Sequence, residues 1–373
     1  METNSGPHCS LEWMFLCGWD AVTTENLIPV VQQTFRTAMD RFRFDAPVLI
    51  LGHNDADGLS ASVLLARTLR QQARPHRVRI LGRGENPWSD EMRTELSDAP
   101  VGGLIVTDLG VREGDLLPGT ETVVIDHHVP TGTPGSATVI SGLNMDPVPT
   151  SSLLAYWCAA ALAEIDDLLW IAALGIIGDM AEKAGFEEME HARKRYGITL
   201  LREAAALLNA PRRSSGGDAA PALDLLMKAG GPKEILSGEH PETALLREGR
   251  DEVKRELEMA KRVPPKVKGN VALICFDSPC QIHPLVAQAW RGRLRNNIVL
   301  AVNTGYRPGW IHFAARTALD LDLIAFLRDN APPGADQNYG SGHTQATGGA
   351  LRPEAWNMFV EKLGFGSDVM VQP

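Results

Sequence analysis

Three polar side chains near residue 55 have a spacing that would let them act on the same ligand. His53, Asp55 and Asp57 occupy alternate positions at the end of an apolar run, directly before Gly58. Successive side chains of an extended backbone alternate, so residues two apart point to the same side. One imidazole and two carboxylates aimed at one point favour a divalent cation, because the two carboxylates would otherwise repel each other. The alternative interpretation is an acidic loop that caps the helix predicted after Gly58.

Three further apolar runs also stop at side chains that can bind metals: Asp108, then Asp126, His127 and His128, then Asp179. Taken one at a time, each is also typical of a turn or a helix end. An acid at the end of a helix, as predicted for Asp179, is unfavourable against the helix dipole unless it has another purpose. Carboxylates dominate the combined set and it includes no thiolate, which points away from structural zinc and toward manganese or magnesium. Asp55, Asp57, Asp108 and Asp179 are four candidate ligand carboxylates, and four suit two ions a few ångströms apart better than one ion.

The elements that must position these side chains form a predicted parallel sheet. Four short apolar runs alternate with helical or loop stretches: Val48–Leu51, Val78–Leu81, Leu104–Val106 and Val123–Ile125. Strands separated by helices predict an α/β fold whose parallel sheet is covered on both faces. Such sheets carry their chemistry at the carboxyl ends of the strands, where most of the candidate ligands lie.

A second, smaller α/β domain is predicted after a helical connector. Residues 187–262 are charged and rich in Ala and Leu at helical spacing, and Pro264-Pro265 stops any helix. The predicted division is an N-terminal arm over 1–20, a catalytic domain over 21–186, the connector over 187–265 and the second domain over 266–373. We expect the active site in the cleft between the two domains.

Composition argues against some functions and locations. The 373 residues carry a net charge of -10, which argues against a protein that coats long duplex DNA, because that binding needs many Lys and Arg contacts to phosphate. The acidity is compatible with a small anionic substrate held by a metal and a few basic groups. Five scattered cysteines without a Cys-x-x-Cys pair favour reduced thiols. No segment approaches the roughly 18 uninterrupted apolar residues of a membrane span, so we expect a cytoplasmic protein without membrane contact.

The order of the motifs resembles that of a known family. The segments similar to the four motifs of DHH phosphoesterases are His53-Asn-Asp-Ala-Asp57-Gly58, Asp108, Asp126-His127-His128 and Asp179. The loop Gly340-Ser-Gly-His343 resembles the glycine-rich loop of their DHHA1 domain, and the whole resemblance spans roughly residues 45–185 and 265–355. Ser341 stands where that loop commonly has glycine, and we expect an altered fit rather than lost function.

The resemblance implies a role for each candidate ligand. One ion would be held by His53, Asp55 and Asp108, and the other by Asp57, Asp108, His127 and Asp179, with Asp108 as the bridge. His128 would face the substrate phosphate, and Asp126 would orient a histidine or the backbone. The residues expected to act in catalysis are therefore His128, Asp108 and Asp126. The implied cofactors are two divalent cations, with Mn²⁺ favoured and Mg²⁺ as the alternative.

Other residues would contact the substrate from the second domain. By the resemblance Arg316 grips phosphate, since a guanidinium matches two phosphate oxygens at once. The loop residues Gly340, Ser341, Gly342 and His343 would bring backbone N–H groups and an imidazole to an anion. Trp310 and Tyr339 are candidates for stacking on a base, with ordinary packing as the alternative. His283 has no assigned role.

The implied activity is that of a metal-dependent phosphodiesterase, similar to RecJ-like exonucleases and nano-RNases, that hydrolyses single-stranded DNA or RNA or short oligonucleotides from an end. One alternative is a pyrophosphatase or exopolyphosphatase, or a nucleotide phosphatase that acts on pAp-type nucleotides or on cyclic dinucleotides. Another is a non-catalytic scaffold that binds nucleic acid. The sequence leaves DNA against RNA, the polarity of cleavage, the preferred length and a homodimeric state open.

Overall fold

The chain divides into two compact units. The structure is a computed structural model that describes residues 24–335 and 339–372. The first unit comprises the chain up to Asn209 together with Ala219–Thr243, and the second comprises Ala210–Asp218 and the chain from Ala244 onward. The N-terminal arm expected over residues 1–20 lies outside the described residues.

The first unit is built on a five-stranded sheet. Its strands are β1 (Val48–Gly52), β2 (His76–Ile80), β3 (Gly103–Thr107), β4 (Thr122–Asp126) and β5 (Thr138–Ser141). The order is β2-β1-β3-β4-β5, and all four pairings are parallel. The predicted α/β fold with a parallel sheet is therefore confirmed. Strand β5 was not predicted, because Thr138-Val-Ile-Ser is short, half polar and lies at the edge of the sheet.

Eleven helices precede the second sheet within the described residues: α1 (Thr24–Asp40), α2 (Ala56–Gln71), α3 (Asp90–Ser97), α4 (Ser151–Ala160), α5 (Leu169–Gly178), α6 (Glu187–Tyr196), α7 (Ile198–Leu208), α8 (Ala210–Arg213), α9 (Ala220–Lys228), α10 (Pro232–Ser237) and α11 (Glu242–Ala260). Helices α6, α7, α9 and α10 fall in the predicted connector and belong to the first unit. The domain boundaries at residues 186 and 265 stay a prediction. None of the helices in the described ranges is long and apolar enough to cross a membrane.

Both faces of the first sheet are covered. On one face, Leu51 and Val106 pack in a cluster with Met92 of α3. On the other face, Ile50 and Ile105 are fully buried, since strand side chains alternate between faces. Helix α5 is apolar along its length because it contacts α2, α4 and α7. Burial of Leu169–Ile176 fixes the position of the helix, whose half-buried last residues lead directly into the site.

The second unit contains a six-stranded mixed sheet. Its strands are β6 (Lys266–Lys268), β7 (Val271–Phe276), β8 (Ile298–Arg307), β9 (Trp310–Thr317), β10 (Ser341–His343) and β11 (Ala346–Leu351). The order is β10-β11-β9-β8-β7-β6, and only β7 and β8 pair in parallel. Its helices are α12 (His283–Arg291), α13 (Leu323–Asp329) and α14 (Pro353–Lys362). This confirms a second, smaller α/β element with its own core, which includes Phe313, Trp356 and Phe359.

The glycine-rich segment after Tyr339 forms a hairpin rather than the loop that its composition predicts. Strand β11 pairs with both β10 and β9. A Cβ atom at Gly348 would lie 2.5 Å from the carbonyl oxygen of Phe313. Glycine at this position allows β11 and β9 to approach closely. A glycine-rich composition is typical both of such closely packed strands and of flexible loops, so the sequence alone did not distinguish them.

Candidate metal centre

The predicted ligands meet at the carboxyl edge of the first sheet. Strands β1, β3 and β4 are neighbours and run in the same direction. Each is followed at once by candidate ligands: His53 after β1, Asp108 after β3, and His127 at the end of β4. The end of α5 adds Asp179 as its C-cap residue. Segments separated by more than a hundred residues thus supply one site.

The first of the two main groups consists of His53, Asp55 and Asp108, whose ligand atoms all lie within 4.8 Å of one another. The Nδ1 atom of His53 lies 3.1 Å from Oδ2 of Asp55 and 3.3 Å from Oδ2 of Asp108. Asp55 is also the N-cap of α2, where its Oδ1 accepts a hydrogen bond from the Gly58 backbone N–H at 3.0 Å. The capping interpretation and the ligand interpretation of Asp55 are therefore compatible, because the cap uses Oδ1 and leaves Oδ2 beside His53.

The second group consists of Asp57, His127 and Asp179, again within 4.8 Å of one another. The Nε2 atom of His127 lies 3.2 Å from Oδ2 of Asp179 and 3.6 Å from Oδ1 of Asp108. Asp57 is 1% exposed and Asp108 5% exposed. His128 joins a third group with Asp108 and His127, and its Nδ1 lies 3.9 Å from Oδ1 of Asp108.

Asp108 connects the two main groups. Its Oδ2 faces His53, and its Oδ1 faces His127. The residue has φ of +61°, a conformation that costs a residue other than glycine about 1–3 kcal/mol and that concentrates at functional sites. Its backbone N–H donates to the carbonyl of Ile125 at 3.0 Å. This left-handed turn at the end of β3 directs one carboxylate between two sets of ligands.

The start of helix α4 holds two of the buried carboxylates, Asp57 and Asp108, and sequence reasoning missed it. The backbone N–H groups of Ser151 and Ser152 donate to Oδ2 and Oδ1 of Asp57, at 2.8 and 3.0 Å. The Ser151 hydroxyl donates to Oδ1 of Asp108 at 3.0 Å. The positive end of a helix dipole thus faces the acids. The run Thr150-Ser-Ser carries an N-cap signal, but its proximity to Asp57 depends on tertiary structure.

Two glycines allow these side chains to approach. A Cβ atom at Gly58 would lie 2.6 Å from both Cβ and the carbonyl oxygen of His53. A Cβ atom at Gly175 of α5 would lie 2.1 Å from Oγ of Ser152 and 2.8 Å from Oδ1 of Asp57. None of these distances leaves room for a side chain, so the shape of the site requires glycine at both positions.

Asp126 and His128 form a separate pair beside the two groups. Asp126 is fully buried, and its carboxylate accepts hydrogen bonds from the backbone N–H of Gly110 at 2.8 Å and of His128 at 2.7 Å. The Nδ1 atom of His128 lies 3.3 Å from Oδ2 of Asp126. Burial alone would raise the pKa of Asp126, but these donors and the His128 imidazole outweigh it and hold the pKa below its usual value. Since an ionised carboxylate only accepts, Nδ1 of His128 donates, and Nε2 remains available.

The site contains more acidic side chains than its positively charged groups can neutralise. Burial, and then repulsion from Asp55, raises the pKa of Asp108 well above its usual value, and burial also raises that of Asp57. Desolvation and the neighbouring acids raise the pKa of Asp179 to about 7. Burial alone would lower the pKa of His53, but Asp55 and Asp108 outweigh it and raise the pKa to about 10. Carboxylate and imidazole donors with excess negative charge fit hard divalent cations.

Residues predicted to contact the substrate lie in the second unit. Arg316 is half-buried on β9, and its Nη1 donates to the carbonyl oxygens of Ala315 at 2.8 Å and Thr347 at 3.1 Å. Gly340 and Gly342 have φ of +75° and +130°. The side chains of Ser341 and His343 lie outside what the structure describes, so their predicted roles stay predictions.

The two aromatic candidates for base stacking have packing partners. The Arg352 guanidinium carbon lies 4.0 Å from the centre of the Trp310 ring. Tyr339 packs edge-on against Phe313 and Phe359, with ring centres 5.8 and 6.2 Å apart. These contacts favour the packing interpretation of both residues.

Comparison with known proteins identifies similar domains and folds. Residues 47–178 match the DHH family, N-terminal domain. RecJ from Thermus thermophilus in complex with Mn²⁺ aligns with a TM-score of 0.66 and 19% identity, covering 89% of this chain and 54% of that one. An exonuclease RecJ bound to manganese aligns at 0.65 and 19% identity, covering 89% and 93%. CDC45 from Entamoeba histolytica aligns at 0.54 and 8% identity, covering 90% and 98%.

At sequence identities this low, the structural alignments show a shared fold. The chain spans 54% of the length of the Thermus RecJ chain. The comparison with curated proteins yields no match.

Proposed function

We propose that this protein, which belongs to the DHH superfamily through residues 47–178, is a metal-dependent phosphodiesterase that hydrolyses single-stranded nucleic acid or short oligonucleotides from an end. The observation that carries the proposal is the position of Asp108. One of its oxygens faces His53 and the other faces His127. A carboxylate shared in this way is the feature that a pair of neighbouring cations requires.

Two sets of residues would hold the cations. One set is His53, Asp55 and Asp108, and the other is Asp57, Asp108, His127 and Asp179. Bound Mn²⁺ or Mg²⁺ would supply charge stabilisation for a phosphoryl group and an activated water. The protein contributes a fixed arrangement: the backbone N–H groups of Ser151 and Ser152 hold both oxygens of Asp57 in place. Two RecJ structures that align with this chain contain manganese and a third contains Mg²⁺, which supports either ion, with Mn²⁺ as the first choice.

His128 would contact the scissile phosphate. Asp126 fixes the ring through Nδ1, so Nε2 can donate to a phosphate oxygen. Burial alone would lower the pKa of His128, but the hydrogen bond and the charge of Asp126 raise it to about 9. A positively charged imidazole at neutral pH stabilises the negative charge that develops on the phosphoryl oxygens. We therefore assign His128 to the substrate and Asp126 to the positioning of His128.

The substrate class follows from charge and from the second unit. A net charge of -10 disfavours binding along extended duplex nucleic acid. Arg316 keeps Nη1 fixed by two carbonyls and so presents its remaining nitrogens in one orientation, which suits a single phosphate. The complete ligand set argues against a non-catalytic scaffold, because a scaffold needs none of these groups.

The test is a substrate panel. Oligonucleotides of two to about twenty nucleotides, labelled at either end, and inorganic pyrophosphate and polyphosphate are each incubated with the protein and Mn²⁺ or Mg²⁺. We expect stepwise shortening of single-stranded oligonucleotides and no activity in Asp108→Asn. Release of phosphate from pyrophosphate or polyphosphate alone would assign the protein to the phosphoanhydride class. If none of these substrates reacted, the proposal that the protein is an enzyme would be refuted.

A further inference from the structure

Two exposed apolar side chains directly follow residues of the candidate metal centre. Val129 follows His128 and is 62% exposed, and Met180 follows Asp179 and is 78% exposed. Consecutive Cα atoms lie only about 3.8 Å apart, so both residues belong to the immediate surroundings of the site. Single exposed apolar side chains are common on protein surfaces. These two, however, adjoin parts of one site that meet, since Nε2 of His127 lies 3.2 Å from Oδ2 of Asp179.

Met180 occupies a position where the fold favours glycine. Its φ is +62°, and it is the first residue beyond the C-cap of α5. The backbone N–H of Met180 donates to the carbonyl of Ile177 at 3.1 Å, and that of Ala181 donates to the carbonyl of Ile176 at 2.9 Å. This pair of hydrogen bonds is the Schellman ending of a helix, whose left-handed residue is usually glycine. Methionine is strained there and, being exposed, gains little from packing, so the helix end does not account for this side chain.

The metal centre is open to solvent on the side where these two residues lie. The side chains of Asp57 and Asp108 are buried, whereas those of His53, His128 and Asp179 are partly exposed, His128 the most at 41%. A substrate phosphate that reaches the proposed cations therefore meets His128 and Asp179 at the surface of the site. The part of the substrate next to that phosphate would lie against the residues that follow them, Val129 and Met180.

The chemistry of these side chains suits the uncharged part of a nucleotide. An apolar side chain cannot compensate the charge of a phosphate, which needs cations or hydrogen-bond donors. A nucleobase, in contrast, has flat faces, and contact with apolar groups removes those faces from water. The thioether of methionine also makes favourable contacts with aromatic rings. Because every base has such a face, the contact would select nucleotides without selecting a sequence.

We propose that Met180 and Val129 form an apolar contact for the base of the nucleotide whose phosphate is bound at the metal centre. This contact makes the site prefer nucleotides to pyrophosphate or polyphosphate, which have no apolar part. The assignment rests on the proposed function, since it takes the phosphate to belong to a nucleic-acid substrate. The two residues determine specificity only, because neither carries a group that binds a hard cation or moves a proton.

The test compares two ligands that differ only in the base, adenosine monophosphate and ribose phosphate, each with its phosphate on the same ribose carbon. Neither contains a phosphodiester bond, so the proposed activity leaves both intact. Each is titrated at constant ionic strength into the full-length protein with Mg²⁺, and binding is followed by the methyl NMR signals of isotope-labelled methionine. The variants are Met180→Gly, which suits the left-handed backbone, and Val129→Ala. The control is Met358→Ala, because Met358 is 48% exposed on α14 of the second unit.

We expect the wild type to bind adenosine monophosphate about tenfold more tightly than ribose phosphate, because the removal of apolar surface from water adds affinity. That preference should shrink by about threefold or more in each variant and remain unchanged in the control. The signal that is missing from Met180→Gly identifies the Met180 methyl group. It should move upfield when adenosine monophosphate binds, as a methyl group over an aromatic ring does, and should not move with ribose phosphate.

An equal preference for adenosine monophosphate in the wild type and both variants would overturn the contact. So would the absence of binding, or an unmoved Met180 signal in the bound protein. If the substrate panel shows that oligonucleotides are shortened while these results are negative, the proposed function stands and only the assignment of Met180 and Val129 fails. If oligonucleotides are not cleaved but adenosine monophosphate moves the Met180 signal, the contact stands and the proposed activity fails.

Discussion

At the scale of single residues, the site depends on which oxygen of each acid is already engaged. Asp55 caps α2 with Oδ1 and faces His53 with Oδ2. Asp108 divides its two oxygens between His53 and His127. The spacing of His53, Asp55 and Asp57 predicts that these side chains converge on one point. The structure places Asp55 beside His53, but Asp57 lies in α2 and joins the group of His127 and Asp179. The division of oxygens could not be predicted, since it depends on backbone conformation, including the left-handed Asp108.

Asp126→Asn tests the positioning of His128. The amide nitrogen of asparagine would face a second donor, either Nδ1–H of His128 or a backbone N–H, so the imidazole would lose its fixed orientation. We expect kcat to fall about 10–100-fold, as is typical when the partner of a site histidine is removed, with little change in metal affinity. The pKa of His128, about 9 in the wild type, should fall because its anionic partner is gone. NMR titration of the imidazole together with steady-state kinetics measures both. Full activity with an unchanged His128 pKa would contradict this role.

Metal affinity should depend on pH. Asp179 has a raised pKa of about 7, so below that pH it is protonated in the metal-free protein and cannot bind a cation. His53, with a pKa of about 10, must release a proton at any pH below that value. Affinity for Mn²⁺ should therefore rise between pH 6 and 8 and continue to rise above pH 8. Calorimetry in two buffers with different ionisation enthalpies measures the released protons. An affinity that is constant from pH 6 to 8, without proton release, would argue against these residues as ligands.

At the scale of elements, the strands that carry the candidate ligands were predictable and the helix that supports the site was not. Apolar runs and their polar ends gave β1, β3 and β4 with the ligands after each one, because the carboxyl edge of a parallel sheet is a general location for chemistry. Helix α4 approaches Asp57 from about ninety residues further along the chain. No local pattern around Thr150-Ser-Ser indicates that contact. The hairpin of β10 and β11 was mistaken for a loop for the same reason, since its strand pairing with β9 is a long-range interaction.

Gly175→Ala tests the packing of α5 against α4. The new methyl group would meet Ser152 and Asp57 at distances that force one of them to move. Overpacking of this kind costs about 1–3 kcal/mol of unfolding free energy, and the movement of Asp57 should weaken metal binding. Gly249→Ala in α11 is the matched control, because its methyl group would lie no closer than 3.6 Å to any neighbour. Denaturant unfolding and Mn²⁺ titration check both variants. If the two variants were equally stable and Gly175→Ala bound metal as the wild type does, the requirement for glycine at position 175 would be contradicted.

At the scale of the whole molecule, the proposed metal ligands lie in the first unit and the proposed phosphate-binding residues lie in the second. The first unit includes several helices between residues 187 and 243 that their composition assigned to a connector. Charge and helical periodicity describe the exposed faces of such helices. They do not reveal which core the buried faces join, and that choice depends on contacts distant in sequence. The parallel sheet, in contrast, could be predicted from apolar runs separated by helical or loop stretches, although in this described part of the chain no helix lies between β3 and β4 or between β4 and β5.

The most direct test of the account is the number and coupling of bound manganese ions. Mn²⁺ is added to the metal-free protein, the bound ions are counted by elemental analysis, and the electron paramagnetic resonance spectrum is recorded. We predict two ions per chain with the spectrum of an exchange-coupled pair, and loss of that coupling in Asp108→Asn, because Asp108 presents one oxygen to each group of ligands. Uptake of one ion or none would contradict the account. So would two uncoupled ions whose spectrum is the same in the wild type and in Asp108→Asn.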